Sequence, residues 1–179
     1  GNRNWAIARG SKMSSSFFPN LSEAAPFVNT SGSDSMSLDN MLEVYLMGGM
    51  DLFKATQTLV PPAWQNAEHI DPDLKAFYRF QAIHAEPWDG PAGIVLTDGR
   101  YASCALDRNG LRPARYVITK DRIITLASEV GVYDYEQTDV VDKGRLKPGQ
   151  MMAVDTHTGN IIMPSDVHER IKNEHPYKA

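Results

Sequence analysis

Cysteine is almost missing from this chain: Cys104 is the only one in 179 residues. That excludes an intrachain disulfide framework and any metal site built from several thiolates. Long apolar runs are missing as well. None approaches the roughly 18 residues that a membrane-spanning helix needs, and the first residues lack the basic-then-apolar pattern of a secretory signal, so no membrane partner is expected. Positive charge is not in excess. With 18 Lys and Arg against 22 Asp and Glu the formal net charge is −4, the wrong sign for a nucleic-acid footprint. The histidines at 69, 84, 157, 168 and 175 form no HExxH or comparable ligand pair. No Gly-x-Gly-x-x-Gly or Walker loop offers a phosphate cradle, and no Gly-x-Ser-x-Gly elbow presents a serine. No metal and no cofactor bound by this segment is therefore expected. A lone free thiol fits a reducing, cytoplasmic setting.

What is present is the composition of a globular domain: 42% hydrophobic and 22% charged residues, in a chain long enough for a single segment, 1–179, with a sizeable core. Residues 1–12 suggest a short helix around Trp5, Ile7 and Ala8. Residues 13–37, rich in Ser, Pro, Asn and Gly, read as an irregular crossing. From Leu38 the helical period begins, with Leu38, Met41, Leu42, Tyr45 and Leu46 on one face. Ser37 is the expected N-cap, and Gly48-Gly49 the stop. A second helix runs from Asp51 to just before Pro61. A third starts with Asp71 as cap and Pro72 in the first turn. It would bury Leu74, Phe77, Tyr78, Gln81 and either Ile83 or His84, ending near Pro87. The second half changes period. Strands are predicted at 92–97, 100–106, 115–119, 122–128, 150–155 and 160–163, with tight connections at Lys120-Asp121 and His157-Thr158-Gly159, and a closing helix over Val167 to Glu174. Helices first and antiparallel strands after give an α+β class.

The densest stretch is Glu86 to Arg115. Gly93-Ile94-Val95-Leu96-Thr97 has the β-branched content of a buried strand, Asp98-Gly99 is a hairpin dipeptide, and Arg100 to Leu106 is the return strand. Asp107-Arg108-Asn109-Gly110 makes a second turn that Leu111-Arg112-Pro113 closes. The corner admits two readings. Its arginines pair with nearby acids as a structural turn, or they form an active-site or interdomain edge suited to carboxylates. Trp88 reads as a packing anchor. Cys104 invites a nucleophile reading, yet strand alternation sets it beside Ala102 and Leu106, where a free cysteine behaves as a small buried apolar group. Asn29-Thr30-Ser31-Gly32-Ser33-Asp34-Ser35 is small and polar. Ser33, Asp34 or Ser35 could cap the following helix, and the small residues would also let a ligand approach the backbone closely.

DGPAGIVLTDGRYASCALDRNGLRPARY, SGSDSMSLDNMLE, LVPPAWQN, ASEVGVYD, KGRLKPGQMMAVD and the terminal HPYK together resemble the glutamine amidotransferase domain of glutamate synthase large chains. The Asp-x-x-Gly-x-Arg-Pro corner is similar to one found more widely in class II amidotransferases; LVPPAWQN with EPWDGPA resembles glutamate synthase in particular. The resemblance implies the C-terminal half of a four-layer α-β-β-α N-terminal-nucleophile sandwich. It implies that Asp34 binds the α-amino group of glutamine, with Gly32 and Ser33 lining the same wall. The family's nucleophile is an N-terminal cysteine, and its oxyanion hole lies in a His-Asn-Gly-Glu-Ile-Asn segment just before the position of Gly1. Neither is matched here, so no catalytic residue is expected in these residues. The resemblance further implies a parent enzyme that uses FMN and an iron–sulfur cluster, with NADPH the favoured electron donor, and the remainder of the large chain as this segment's partner. The rival from another class is a non-catalytic binding module that retains the fold.

Overall fold

The computed structural model describes residues 3–129 and 131–178. These divide into two compact units, one of Gly1–Pro61, His69–Asp89 and Ile171–Ala179, the other of Pro62–Glu68 and Gly90–Arg170. The first unit is helical. Helix α1 covers Arg3–Gly10; Gly1 and Asn2 of the helix expected there lie outside the described residues. The crossing that follows is irregular, with one short 3-10 turn at Leu21–Ala24. Helix α2 covers Asp34–Met47, α3 Leu52–Leu59 and α4 Pro72–His84.

Two helix starts follow directly from their cap chemistry. Asp51 accepts the Lys54 N–H at 2.8 Å, and Asp71 accepts those of Asp73 and Leu74 at 2.7 and 3.3 Å ahead of Pro72, each satisfying donors that the first turn leaves open. The start of α2 differs from expectation. Ser33, not Ser37, is the cap, and Ser37 is fully buried with its hydroxyl donating to the Ser33 carbonyl at 3.2 Å. Apolar periodicity misses this turn because Asp34, Ser35 and Ser37 are polar; the helix-start signal lies in the cap. Along α4, Leu74, Phe77, Tyr78 and Gln81 are buried, but Ile83 is 71% exposed and His84 is exposed too. That helix ends before the stripe turns inward again. The Tyr78 hydroxyl donates to Gln57 Oε1 at 2.7 Å inside this core, and burial pushes its pKa up.

The second unit holds two antiparallel sheets, ordered β1-β2-β6-β7 and β4-β3-β5. The strands are β1 Gly93–Thr97, β2 Tyr101–Leu106, β3 Arg115–Thr119, β4 Ile124–Ala127, β5 Val140–Arg145, β6 Met151–Asp155 and β7 Ile161–Ile162. Helix α5, Pro164–Lys172, follows β7. Helices followed by antiparallel sheet confirm the α+β class. Cys104, Leu106 and Met152 of one sheet share an apolar core with Ala114 and Leu146, against which Tyr116, Ile124 and Leu126 of the other pack.

Three features depart from the sequence reading. Strand β5 is absent from the predicted strands, since Asp142, Lys143 and Gly144 are residue types depleted in strands. It forms because β3 pairs with it, Tyr116 standing opposite Gly144. A Cβ at Gly144 would lie 2.7 Å from the Tyr116 hydroxyl oxygen, so the aromatic ring occupies the place of the missing side chain. Strand β1, expected to be buried, is a sheet edge with Val95 75% exposed, because β propensity says nothing of a strand's place in the sheet order. The β1–β2 hairpin pairs Thr97 with Ala102, which sets Gly99-Arg100, not Asp98-Gly99, at its tip. Asp98 instead accepts the Arg100 and Tyr101 N–H groups at 3.0 and 2.8 Å.

Candidate functional site

The polar segment 29–35 is folded tightly onto the start of α2. Asn29 Oδ1 accepts from the Ser31 N–H and hydroxyl at 2.8 and 3.1 Å. The Asn29 N–H donates to Asn40 Oδ1 on α2 at 3.0 Å, and Arg3 Nη2 of α1 donates to the Thr30 carbonyl. Ser33 Oγ accepts the Met36 N–H at 3.2 Å and meets Ser35 Oγ at 2.9 Å. A Cβ on Gly32 would lie 2.4 Å from Met36 Sδ and 3.4 Å from Asn29 Cγ. The loop is therefore drawn in to a distance that only glycine permits without Met36 moving. Gly32, Ser33 and Asp34 thus come together at one helix N-terminus, with Asp34 exposed in the first turn. A carboxylate there suits an ammonium ligand by charge, while the loop backbone beside it is pinned. Sequence reasoning missed the supports, Arg3 and Asn40. Their only sequence signal is an Asn in mid-helix, where its propensity is poor.

Glu86 belongs to the same unit. It takes both Arg9 Nε and Nη2 in a bidentate pair at 2.5 Å each. The hydrogen bonds from Arg9 hold the Glu86 carboxyl below its ordinary pKa. Trp88 is 7% exposed, a packing anchor as expected.

The Asp107 corner is in the other unit, and its chemistry is internal. Asp107 is 1% exposed. Its Oδ1 accepts the N–H groups of Ala92 and Arg112 at 3.1 and 3.2 Å, and its Oδ2 those of Asn109 and Leu111 at 3.1 and 3.0 Å. Burial by itself would raise this carboxyl's pKa, but the four N–H donors together outweigh it and hold it below its ordinary value. Gly110, at φ +62°, makes the turn possible. Among the described residues no acid pairs with Arg108, Arg112 or Arg115. The expected pairing of these arginines with nearby acids does not occur; the corner's acid serves the backbone.

Cys104 is 4% exposed in the core of the sheets, and burial pushes its thiol up to about 11. At neutral pH the nucleophilic thiolate is scarce. Reaction of the native chain with an aromatic disulfide reagent is expected to run at least ~100-fold slower than in urea, as this pKa and exclusion of the reagent both require; equal rates would contradict this placement. No group of three or more His, Cys, Asp or Glu able to hold a metal occurs among the described residues. Among them, too, no helix is long and apolar enough to cross a membrane.

A family model described as glutamine amidotransferases class-II matches residues 1–179. The chain is 43% identical over 179 residues to the glutamate synthase (NADPH) large chain of Bacillus subtilis (strain 168), a match covering 99% of this chain and 12% of that protein. It is 41% identical over 181 residues to the glutamate synthase (NADH) of Schizosaccharomyces pombe, covering 100% of this chain and 9% of that protein. The ferredoxin-dependent glutamate synthase of Antithamnion sp. is 41% identical over 181 residues, with 99% of this chain and 12% of that protein covered. The chain spans about a tenth of the length of these relatives.

Proposed function

This chain belongs to the class-II glutamine amidotransferases, and from that premise we propose that it is the C-terminal half of the glutaminase domain of a glutamate synthase. The observation that carries this reading is the match, along the whole chain, to NADPH-, NADH- and ferredoxin-named glutamate synthases. Their nearly equal identities favour none of the three donors, so the preference for NADPH drawn from the sequence blocks has no support from them. In the complete domain a cysteine thiolate attacks the glutamine side-chain amide, an oxyanion hole holds the tetrahedral intermediate, and ammonia leaves. Water then releases glutamate from the thioester, and the ammonia serves reductive amination of 2-oxoglutarate elsewhere in the protein. This segment's part is to bind. Asp34 accepts the α-ammonium of glutamine, and Gly32 and Ser33 bring backbone close to the ligand. The bidentate Arg9–Glu86 pair stays structural in this reading.

The cofactors implied for such a parent do not fit these residues. An iron–sulfur cluster is held by several thiolates, and Cys104 is the only cysteine here. FMN likewise finds no glycine-rich phosphate loop in this sequence. Both belong to other segments, in a setting we take to be cytoplasmic.

The test compares two preparations. Full-length protein carrying this chain is expected to release ammonia from glutamine and to form glutamate from 2-oxoglutarate. The purified 179 residues are expected to release none, since their one thiol is buried and largely protonated. Robust glutaminase activity in the isolated chain would overturn the assignment of the nucleophile to another segment. An inactive full-length protein with no upstream cysteine would favour the non-catalytic module.

A further inference from the structure

Four cations of the sheet unit line one concavity. Arg112 leaves the Asp107 corner, Arg115 begins β3, Arg145 ends β5, and Lys147 follows it. Together with Leu111 and Pro148 they border a groove of about 430 Å³. All four are exposed, and none has an acidic partner among the described residues. That is unusual in a chain whose acids outnumber its bases by 22 to 18.

Arg115 and Arg145 also stand directly opposite each other on adjacent antiparallel strands. Like charges so placed repel, and among the described residues neither has an acidic ion-pair partner. The floor beneath is rigid. Asp107 fixes the N–H groups of Leu111 and Arg112, and Leu146 is buried at 5% exposure. At the groove's border Leu111 is 59% exposed. A site for a free small anion would enclose its ligand. An open line of cations around an apolar side chain instead matches the composition of a protein docking surface, with arginine enriched and electrostatics setting the register.

We propose that this groove docks an acidic segment from another domain of the same polypeptide, whose carboxylates pair with Arg112, Arg115, Arg145 and Lys147 while an apolar side chain covers Leu111. The proposal rests on the reading of this chain as one domain of a larger glutamate synthase.

Lys147 makes it testable, because a carbodiimide joins an amine to a carboxylate only at ion-pair distance. Full-length protein is treated with the reagent, digested and mapped by mass spectrometry. The expected product is a link from Lys147 to an Asp or Glu outside residues 1–179. Its yield is expected to fall at least ~10-fold in R115E/R145E, where attraction becomes repulsion, and to persist in R115K/R145K. It should also fall in 1 M salt, where the screening length shrinks to about 3 Å. Lys120, 4.0 Å from Asp139, supplies an internal control: its link must survive in every variant if the sheet is intact. A Lys147 that links only within residues 1–179, links to a separate polypeptide, or stays unlinked while the control forms overturns the proposal. So does a link that survives charge reversal. Glutamine hydrolysis by untreated protein is read in parallel, so an active enzyme without the link fails the docking proposal alone.

Discussion

Replacing Asp34 by Asn in the full-length protein is expected to raise the KM for glutamine about 10–100-fold and to leave kcat within about threefold. The substitution keeps size and polarity, and Asn is at home near a helix start, so the first turn of α2 survives. What disappears is the charge that, in the proposed function, pairs with the ammonium of glutamine. A hydrogen bond between charged partners is worth roughly 1.5–3 kcal/mol, and each ~1.4 kcal/mol is tenfold in affinity. The effect falls on KM because the α-ammonium is remote from the amide that reacts. Ground state and transition state therefore lose the contact equally. Ser33→Ala is the contrasting variant: it removes the cap bond to Met36, which costs about 1 kcal/mol of stability, and leaves the carboxylate in place. Steady-state kinetics with glutamine decide the matter. An unchanged KM in D34N, or a KM that rises only together with a fall in melting temperature, would remove Asp34 from the binding site.

Asp107→Ala is expected to cost on the order of 3–5 kcal/mol of stability, among the larger effects a single substitution produces. It strips a buried acceptor, itself only 1% exposed, from four backbone N–H groups at once. Each buried donor left open costs roughly 1–3 kcal/mol before relaxation. Asp107→Asn is expected to cost about half as much, since one carboxamide oxygen still accepts. Urea titration of the purified chain followed by circular dichroism reads both, and an alanine variant within ~1 kcal/mol of the parent would refute the account. The same carboxylate contributes to acid sensitivity. Its folded pKa is lowered, so its contribution is complete above the unfolded value near 3.9 and is lost as pH falls through the folded value. Asp155, held at about 2 chiefly by its hydrogen bonds from Arg100, and Asp71, held at about 2 chiefly by Lys172, act in the same sense. The chain is therefore expected to lose stability between about pH 4 and pH 2, and not between pH 5 and pH 8.

Much of this molecule is legible locally. Asp51 and the Asp71-Pro72 pair announce their helices because a cap is a contact between residues two or three apart. Leu74, Phe77 and Tyr78 announce the buried face of α4 because a helix repeats every 3.6 residues. The turn at His157-Thr158-Gly159 is equally local: Asp155 Oδ1 accepts the N–H groups of His157 and Thr158 at 3.0 and 3.3 Å, and Gly159 takes φ +74°. The candidate site was legible only as a segment. Gly32, Ser33 and Asp34 stand out by their small size, but the Arg3 and Asn40 contacts that hold them cross 27 and 11 residues.

By itself, then, the sequence determined the helical first half and antiparallel second half, the starts of α3 and α4, most of the turns and, through its blocks, the family. Those properties are periodicities, short-range hydrogen bonds and residue strings, each complete within a short stretch of chain. Only the tertiary structure decided that β5 is a strand, that β1 lies at an edge, that Asp107 serves the backbone and that four cations stand together with no acidic partner among the described residues. Each depends on which distant residues become neighbours, and burial, pairing and charge balance are properties of neighbours.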